Sequence, residues 1–285
     1  MKRIIFTFLA CALAASFCLA ATASVLLDTN VVKEGGILKI KIFCDKPITA
    51  CDIEFNKGRY TAFFKQFDVK QNQYIFISIV PVALGTKGRK DLVIKYMLSD
   101  NSEHQEKQRI KVNAMMKKDV DIETGQVNDE LDKELAEEGK IIYSLQDPIT
   151  PIKYSFPFMK PVDAPITGGF GDSRVYDKGK ASWRHKGLDI GAPRGTPVRA
   201  DSDGVVASAS STKAYGNIII IDHGAGIYSM FFHMQRVYVK KNDRVSKGDI
   251  IGKVGNEGLS TGPHLHWQIN VCKVPVNPAE FLKDF

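Results

Sequence analysis

Tryptophan, histidine and cysteine are scarce in this 285-residue chain, at 2, 6 and 5 copies, and the gaps exclude a good deal. No two cysteines stand at the close spacing of a thiolate zinc site, so a zinc finger or ribbon is ruled out. There is no run of lysine and arginine, no aromatic RNA-binding motif and no internal repeat, which leaves a nucleic-acid partner or a solenoid without support. The strongly apolar run at the N-terminus falls short of the ~18 to 20 residues that span a bilayer. What remains is ordinary: 44% hydrophobic and 25% charged residues are the composition of a folded globular protein. The length is enough for two domains, each with its own core.

The first residues, MKRIIFTFLACALAASFCLAATAS, place Lys2 and Arg3 before an uncharged apolar run and end in small residues. This three-part pattern predicts a secretory signal peptide over residues 1–23, cleaved near Ala23. Lipid anchoring at Cys18 is disfavoured, because Phe17 stands where a small residue is required. The expectation is an exported protein, periplasmic or secreted, with no transmembrane anchor in its mature form. Loss of Lys2 and Arg3 lowers the formal net charge of +7 by two, and a mildly basic exported protein suits an acidic polymer or surface. Cys44, Cys51 and Cys272 stay in the mature chain. Cys44 shares its parity with Leu38, Ile40 and Ile42, and Cys51 with Ile53 and Phe55. Both thiols are expected to face inward, either bridged or as two small buried hydrophobes.

Residues 24–114 alternate in short segments (ILKIKIFC, CDIEF, RYTAFF, QYIFISIV, DLVIKYML, QRIKVNA) divided by turn signals. Six or seven strands without an amphipathic helix predict an immunoglobulin-like β-sandwich; His104, in SDNSEHQEK, is expected in a solvated loop. Residues 115–160 change character. NDELDKELAEEGKIIYSL predicts a charged connecting helix capped by Asn128, and Pro148, Pro151, Pro157 and Pro161 predict an extended strap after it. From residue 161 to 285 the pattern is again β but rich in glycine, which predicts a compact, strongly bent antiparallel sheet or barrel-like core.

Chemistry gathers in this last segment. Side chains at i and i+2 of a strand share a face, so His264 and His266 of GPHLHWQ stand side by side while Leu265 and Trp267 point away. In HKGLDI, His185 and Asp189 are an even four apart and share one face, with Leu188 and Ile190 on the other. His233 sits in YSMFFHMQ. Imidazoles with a carboxylate suit a divalent first-row metal, zinc above all, in an open catalytic site with room for water. Spacing alone makes His264 as good a ligand as His266. Tyr176, in the loop before His185, reads equally as a substrate contact or an exposed loop residue.

HKGLD, SMFFHMQ and GPHLHWQ, with GTPVRADSDGVV, YGNIIIIDHG and VKKNDRVSKGDIIGKVGN between them, resemble peptidase family M23, the LytM or lysostaphin-type metallopeptidases. The resemblance covers roughly residues 161–282 in the expected order, and the two-domain layout resembles, more loosely, exported members from bacteria with a periplasm. It implies an M23-type fold for the second domain and zinc bound by His185, Asp189 and His266. His264 and His233 then take roles in acid–base catalysis and transition-state stabilisation. His223, in IIDHGAG, matches a turn position of the family rather than a site residue.

The implied activity is hydrolysis of peptide bonds in the cross-links or stems of bacterial peptidoglycan, without a covalent enzyme intermediate. A cross-link from D-alanine to diaminopimelate is the default and glycine bridges the alternative. A different class of function, a non-hydrolytic or latent LytM-type regulator that binds or activates cell-wall hydrolases, is disfavoured because every motif position is filled.

Overall fold

The computed structural model describes residues 23–123, 128–179 and 181–284. The expected leader lies outside them except for Ala23, which opens the first strand. The chain forms two compact units, one of Met1–Val80 with Gly85–Ala114 and one of Pro81–Leu84 with Met115–Phe285.

The first unit holds β1 (Ala23–Leu27), β2 (Val31–Lys33), β3 (Ile37–Cys44), β4 (Ile48–Phe55), β5 (Gly58–Tyr60), β6 (Phe63–Asp68), β7 (Gln73–Pro81), β8 (Gly88–Leu98) and β9 (Glu103–Asn113). They form two sheets, ordered β1-β3-β7-β6 and β2-β9-β8-β4-β5, as a sandwich requires. Inward residues such as Ile40, Ile42, Ile53, Ile94 and Ile110 are closed to solvent. The segment expected as one strand, RYTAFF, is two: β5 pairs with β4 and β6 with β7, so the chain changes sheets between Tyr60 and Phe63. His104 is not in a loop. It lies in β9 opposite Tyr96 of β8 and stacks on that ring with centroids 5.1 Å apart, because the long hairpin carries the polar run EHQEKQ into the ladder. Cys44 is buried, Cys51 half-buried, and both are free thiols, as is Cys272. Burial pushes the Cys44 thiol up to about 12 and the Cys51 thiol to about 11.

The second unit begins with β10 (Asp119–Ile122) and α1 (Asp129–Ser144). Asn128 is the N-cap, its side chain accepting from the Leu131 N–H at 2.9 Å. The strands that follow are β11 (Ile166–Gly168), β12 (Ser173–Tyr176), β13 (Ala181–Arg184), β14 (Leu188–Gly191), β15 (Pro197–Arg199), β16 (Gly204–Thr212), β17 (Gly216–Gly224), β18 (Ile227–Val237), β19 (Arg244–Val245), β20 (Ile250–Val254), β21 (His264–Val271) and β22 (Val274–Val276). One large sheet runs β11-β14-β21-β18-β17-β16-β19, with β15, β20 and β22 attached. A small sheet, β10-β12-β13, has β10 parallel to β12.

The run IIII in β17 does not alternate because both faces of this central strand are covered. Ile218 and Ile220 pack with Ile142 of α1 and with Tyr228, Met230 and Phe232 of β18, while Ile219 and Ile221 are equally closed to solvent. The helix is therefore docked on the sheet. Glu138 accepts from the backbone N–H groups of Lys213 and Ala214 at 2.8 and 3.1 Å. The proline-rich strap also lies against the unit, with backbone bonds from Lys153 to His223 and from Phe158 to Phe281. Among the described residues no helix is long and apolar enough to cross a membrane.

Candidate metal centre

Three neighbouring strands, β14, β21 and β18, carry the site. Asp189 stands opposite His266 and Gly191 opposite His264, and Phe232 stands opposite His266 on the other side. The parity expected of GPHLHWQ holds: Leu265 and Trp267 are closed to solvent, and His264 and His266 face the opposite way. The grouping expected of HKGLDI holds as well, with His185 beside Asp189 and Leu188 and Ile190 closed to solvent, but not by strand alternation. His185 precedes β14 and enters from the bend between β13 and β14. Gly187 makes that bend possible, since a Cβ there would lie 2.5 Å from the Trp267 carbonyl oxygen and 2.7 Å from His266 Nε2.

His185, Asp189 and His266 converge. His185 Nε2 and His266 Nδ1 lie 3.0 and 2.9 Å from Asp189 Oδ1 and 2.9 Å from each other. What these nitrogens carry follows from the other side of each ring. His185 Nδ1 is 2.7 Å from the Gly169 carbonyl oxygen, which can only accept, so that nitrogen holds the proton. His266 Nε2 faces Gln268 Oε1 at 3.5 Å. The Gln268 amide is oriented by donating to Asn270 Oδ1 at 2.8 Å, and Asn270 donates to Gln146 Oε1 at 2.9 Å. In the neutral rings, His185 Nε2 and His266 Nδ1 are thus bare lone pairs aimed at one another and at a carboxylate oxygen. Such a set repels itself and fits a cation; two imidazole nitrogens and a carboxylate oxygen could hold a divalent metal.

His264 and His233 flank this cluster. His264 Nδ1 donates to the Gly262 carbonyl at 2.8 Å, leaving Nε2 3.7 Å from Asp189 Oδ1. His233 Nδ1 donates to the Glu257 carbonyl at 2.7 Å, and its ring centroid is 4.9 Å from that of His264. Regular alternation after Phe232 would turn His233 away. It instead adopts φ +60°, in the left-handed region, at an irregularity of the β17–β18 ladder. Its N–H is held by the Tyr215 carbonyl at 3.0 Å. A strained, bulged residue that re-aims a side chain is a known device of functional sites.

The electrostatics keep the carboxylate charged and the His233 and His266 rings neutral. Burial raises the Asp189 carboxyl, but its close contacts with the His185 and His266 rings outweigh burial and hold it below the usual carboxylate range. Burial, with the neighbouring histidines, brings His233 down to about 3. Burial likewise brings His266 down to about 4, against the pull of Asp189.

The cluster opens into a groove of about 1580 Å³, bordered by Gly139 and Tyr143 of α1, Asp121 of β10, Trp183, Thr261 and Pro263. Tyr176 is neither exposed nor in a loop: it is buried in β12 and stacked on Trp183 with centroids 4.4 Å apart. His223 lies apart from the cluster, buried in β17. Sequence reasoning missed Gln268, Asn270 and Gln146. The period-two placement of 266, 268 and 270 on one strand was the available signal for the first two. It also missed Arg174, whose guanidinium pairs with Asp189 Oδ2.

Residues 183–278 match the model of peptidase family M23. A protein of Buchnera aphidicola subsp. Baizongia pistaciae, described as an uncharacterized metalloprotease, is 29% identical over 268 residues, 85% of this chain and 69% of that protein. The peptidoglycan DD-endopeptidase ShyA of Vibrio cholerae is 39% identical over 119 residues, 41% of this chain; this chain spans 28% of its length. A crystal structure from Pseudomonas aeruginosa, assigned to peptidase M23, superposes with a TM-score of 0.64 at 24% identity, covering 91% of this chain and 97% of that one. It bears out the fold.

Proposed function

From the premise that this chain carries a peptidase family M23 domain, we propose that it is a zinc endopeptidase that hydrolyses peptide bonds in bacterial peptidoglycan. The observation that carries the reading is the convergence of His185 Nε2, Asp189 Oδ1 and His266 Nδ1, with the far nitrogens of both rings turned to acceptors. These three residues would hold the metal. Zinc bound there supplies Lewis acidity, which polarises a scissile carbonyl and acidifies water.

The remaining steps belong to the chain's own side chains. With Nδ1–H given to the Gly262 carbonyl, His264 presents Nε2 as a proton acceptor. It takes the proton of the attacking water and delivers it to the leaving amine, as a general base and then acid. His233 is a poor base at about 3. Its Nε2 orients the water as a hydrogen-bond acceptor, and it shares the transition-state charge through its contact with the His264 ring. The groove walls set an extended peptide across the centre and restrict water. The substrate class is supported by the DD-endopeptidase relative, so the D-alanine cross-link is the proposed bond and the cell envelope, outside the cytoplasm, the proposed location. A purely regulatory role is not favoured, since no ligand position is lost.

The test is to purify the mature protein, measure zinc per chain and incubate it with peptidoglycan sacculi. About one zinc and release of cross-link cleavage products identified by mass spectrometry are expected. Zinc binding without release from any peptidoglycan preparation would overturn the activity.

A further inference from the structure

Asp189 has two carboxylate oxygens, and only Oδ1 faces the histidines. The other, Oδ2, is paired with Arg174 Nη2. Both side chains are nearly buried, at 14% and 11% exposure, so water does not compete for the contact. Arg174 sits at the middle of the small sheet, on β12, opposite Val120 of β10 and Trp183 of β13. Two residues on, Tyr176 also hydrogen-bonds the guanidinium and is itself fixed on Trp183. The chain leaves room for this pair. Gly168 lies opposite Asp189 across the β11–β14 ladder, and a Cβ there would fall 2.6 Å from Arg174 Nη2 and 2.6 Å from Asp189 Oδ2. The glycine at position 168 of the ITGGFGD segment is thus required by the Arg174–Asp189 contact.

We propose that Arg174 is a positioning residue that sets the denticity of the metal ligand Asp189. A carboxylate with both oxygens free rotates about its Cβ–Cγ bond and can offer one oxygen or two to a cation. With Oδ2 held by a guanidinium, Asp189 offers Oδ1 alone, and one further position at the metal stays open for water and substrate. The guanidinium also fixes the rotation of the carboxylate, so that Oδ1 is already aimed at the histidine nitrogens before a cation arrives. Arginine suits the task better than lysine, since its planar fork holds the carboxylate and Tyr176 at once.

This inference rests on the reading that His185, Asp189 and His266 hold a metal, and the experiment separates the two. Wild-type protein, Arg174→Gln, Arg174→Lys and Gly168→Ala are each titrated with Zn²⁺ against a chromogenic chelator and, separately, loaded with Co²⁺ for visible absorption. Thermal melts confirm folding. The expectation for Arg174→Gln is a loss of zinc affinity of about tenfold or more with a weaker Co²⁺ absorption, the mark of a higher coordination number. Gly168→Ala, which keeps every ligand and the arginine but forces the pair apart, should follow it, and Arg174→Lys should restore part of both signals. A merely structural role would lower the melting temperature without moving the Co²⁺ spectrum of the folded variants. If the wild type binds metal and the folded Arg174→Gln and Gly168→Ala proteins match its affinity and spectrum, the inference is overturned alone. If the wild type binds none, the metal reading falls and the inference with it.

Discussion

β21 runs between two aspartate-centred clusters, one on each face, and they are built from similar parts to opposite ends. On one face Asp189 meets His185, His264 and His266. On the other, Trp267 donates to Asp201 Oδ2 at 2.8 Å, Ser229 donates to the same oxygen at 2.5 Å, and His223 Nε2 lies 3.3 Å from Asp201 Oδ1. The ring nitrogens of His223 face the Asp203 carbonyl at 2.7 Å and Ser229 Oγ at 2.8 Å. Serine, histidine and aspartate make the composition of a nucleophilic triad, yet this one is closed to solvent. Its serine also directs its proton to the aspartate and not to the imidazole. Two donors converge on Asp201 Oδ2 from β18 and β21, so the cluster ties those strands together. The Asp189 cluster instead borders the groove, where its side chains can be reached from solvent. What separates the two clusters is access to the groove, not the kinds of residue.

Breaking the open cluster has the largest expected effect. His266→Ala should reduce bound zinc to background and abolish peptidoglycan cleavage, measured by metal analysis and fragment release. His264→Ala comes next: it should keep the metal and lower kcat by about 10² to 10⁴-fold, the range of a general acid–base group, as read in steady-state kinetics. Acid should then distinguish the clusters. His233 and His266 have folded values near 3 and 4, below the ordinary 6.5, so the unfolded chain binds more protons than the folded one at mildly acid pH. Stability is full above 6.5 and is lost as pH falls through 4 and 3, and Asp189, held low, acts in the same direction below 3.8. Melts of the chelated protein should show a falling Tm across this window, with added Zn²⁺ opposing the fall in its upper part. The smallest effect belongs to the closed cluster. Trp267→Phe removes one donor to Asp201 and should cost about 1 to 3 kcal/mol of stability in denaturant titrations, with metal content unchanged. Metal loss in that variant would mean that the two faces are not independent.

Much of this was legible in the chain. Alternation located β3, β7 and β8, Asn128 marked the start of α1, and the HLHW parity put two histidines on one face. Position-two arithmetic grouped His185 with Asp189 although His185 arrives from a bend that Gly187 permits, and it is silent on His233, which stands at φ +60°. Neither conformation is encoded in a periodicity. The loop expected at His104 failed because a polar run in a long two-stranded ladder looks like a loop. Arg174 was invisible because its partner is 15 residues away in sequence and only the pairing of β11 with β14 brings Gly168, which makes room for it, beside Asp189.

Three of the histidines in the groove have their proton placed by a main-chain carbonyl, from Gly169, Glu257 and Gly262. Every residue type carries that group, so exchanging the side chain at Glu257, or at Gly262, where an added Cβ would meet nothing within 4 Å, leaves the instruction in place. Lengthening or shortening the loop between β20 and β21 by one residue would move two carbonyls together and misdirect both rings. In a library of variants this loop should therefore accept many substitutions and almost no insertions or deletions, a pattern of heritable variation in which loop length, and not loop spelling, is what selection guards.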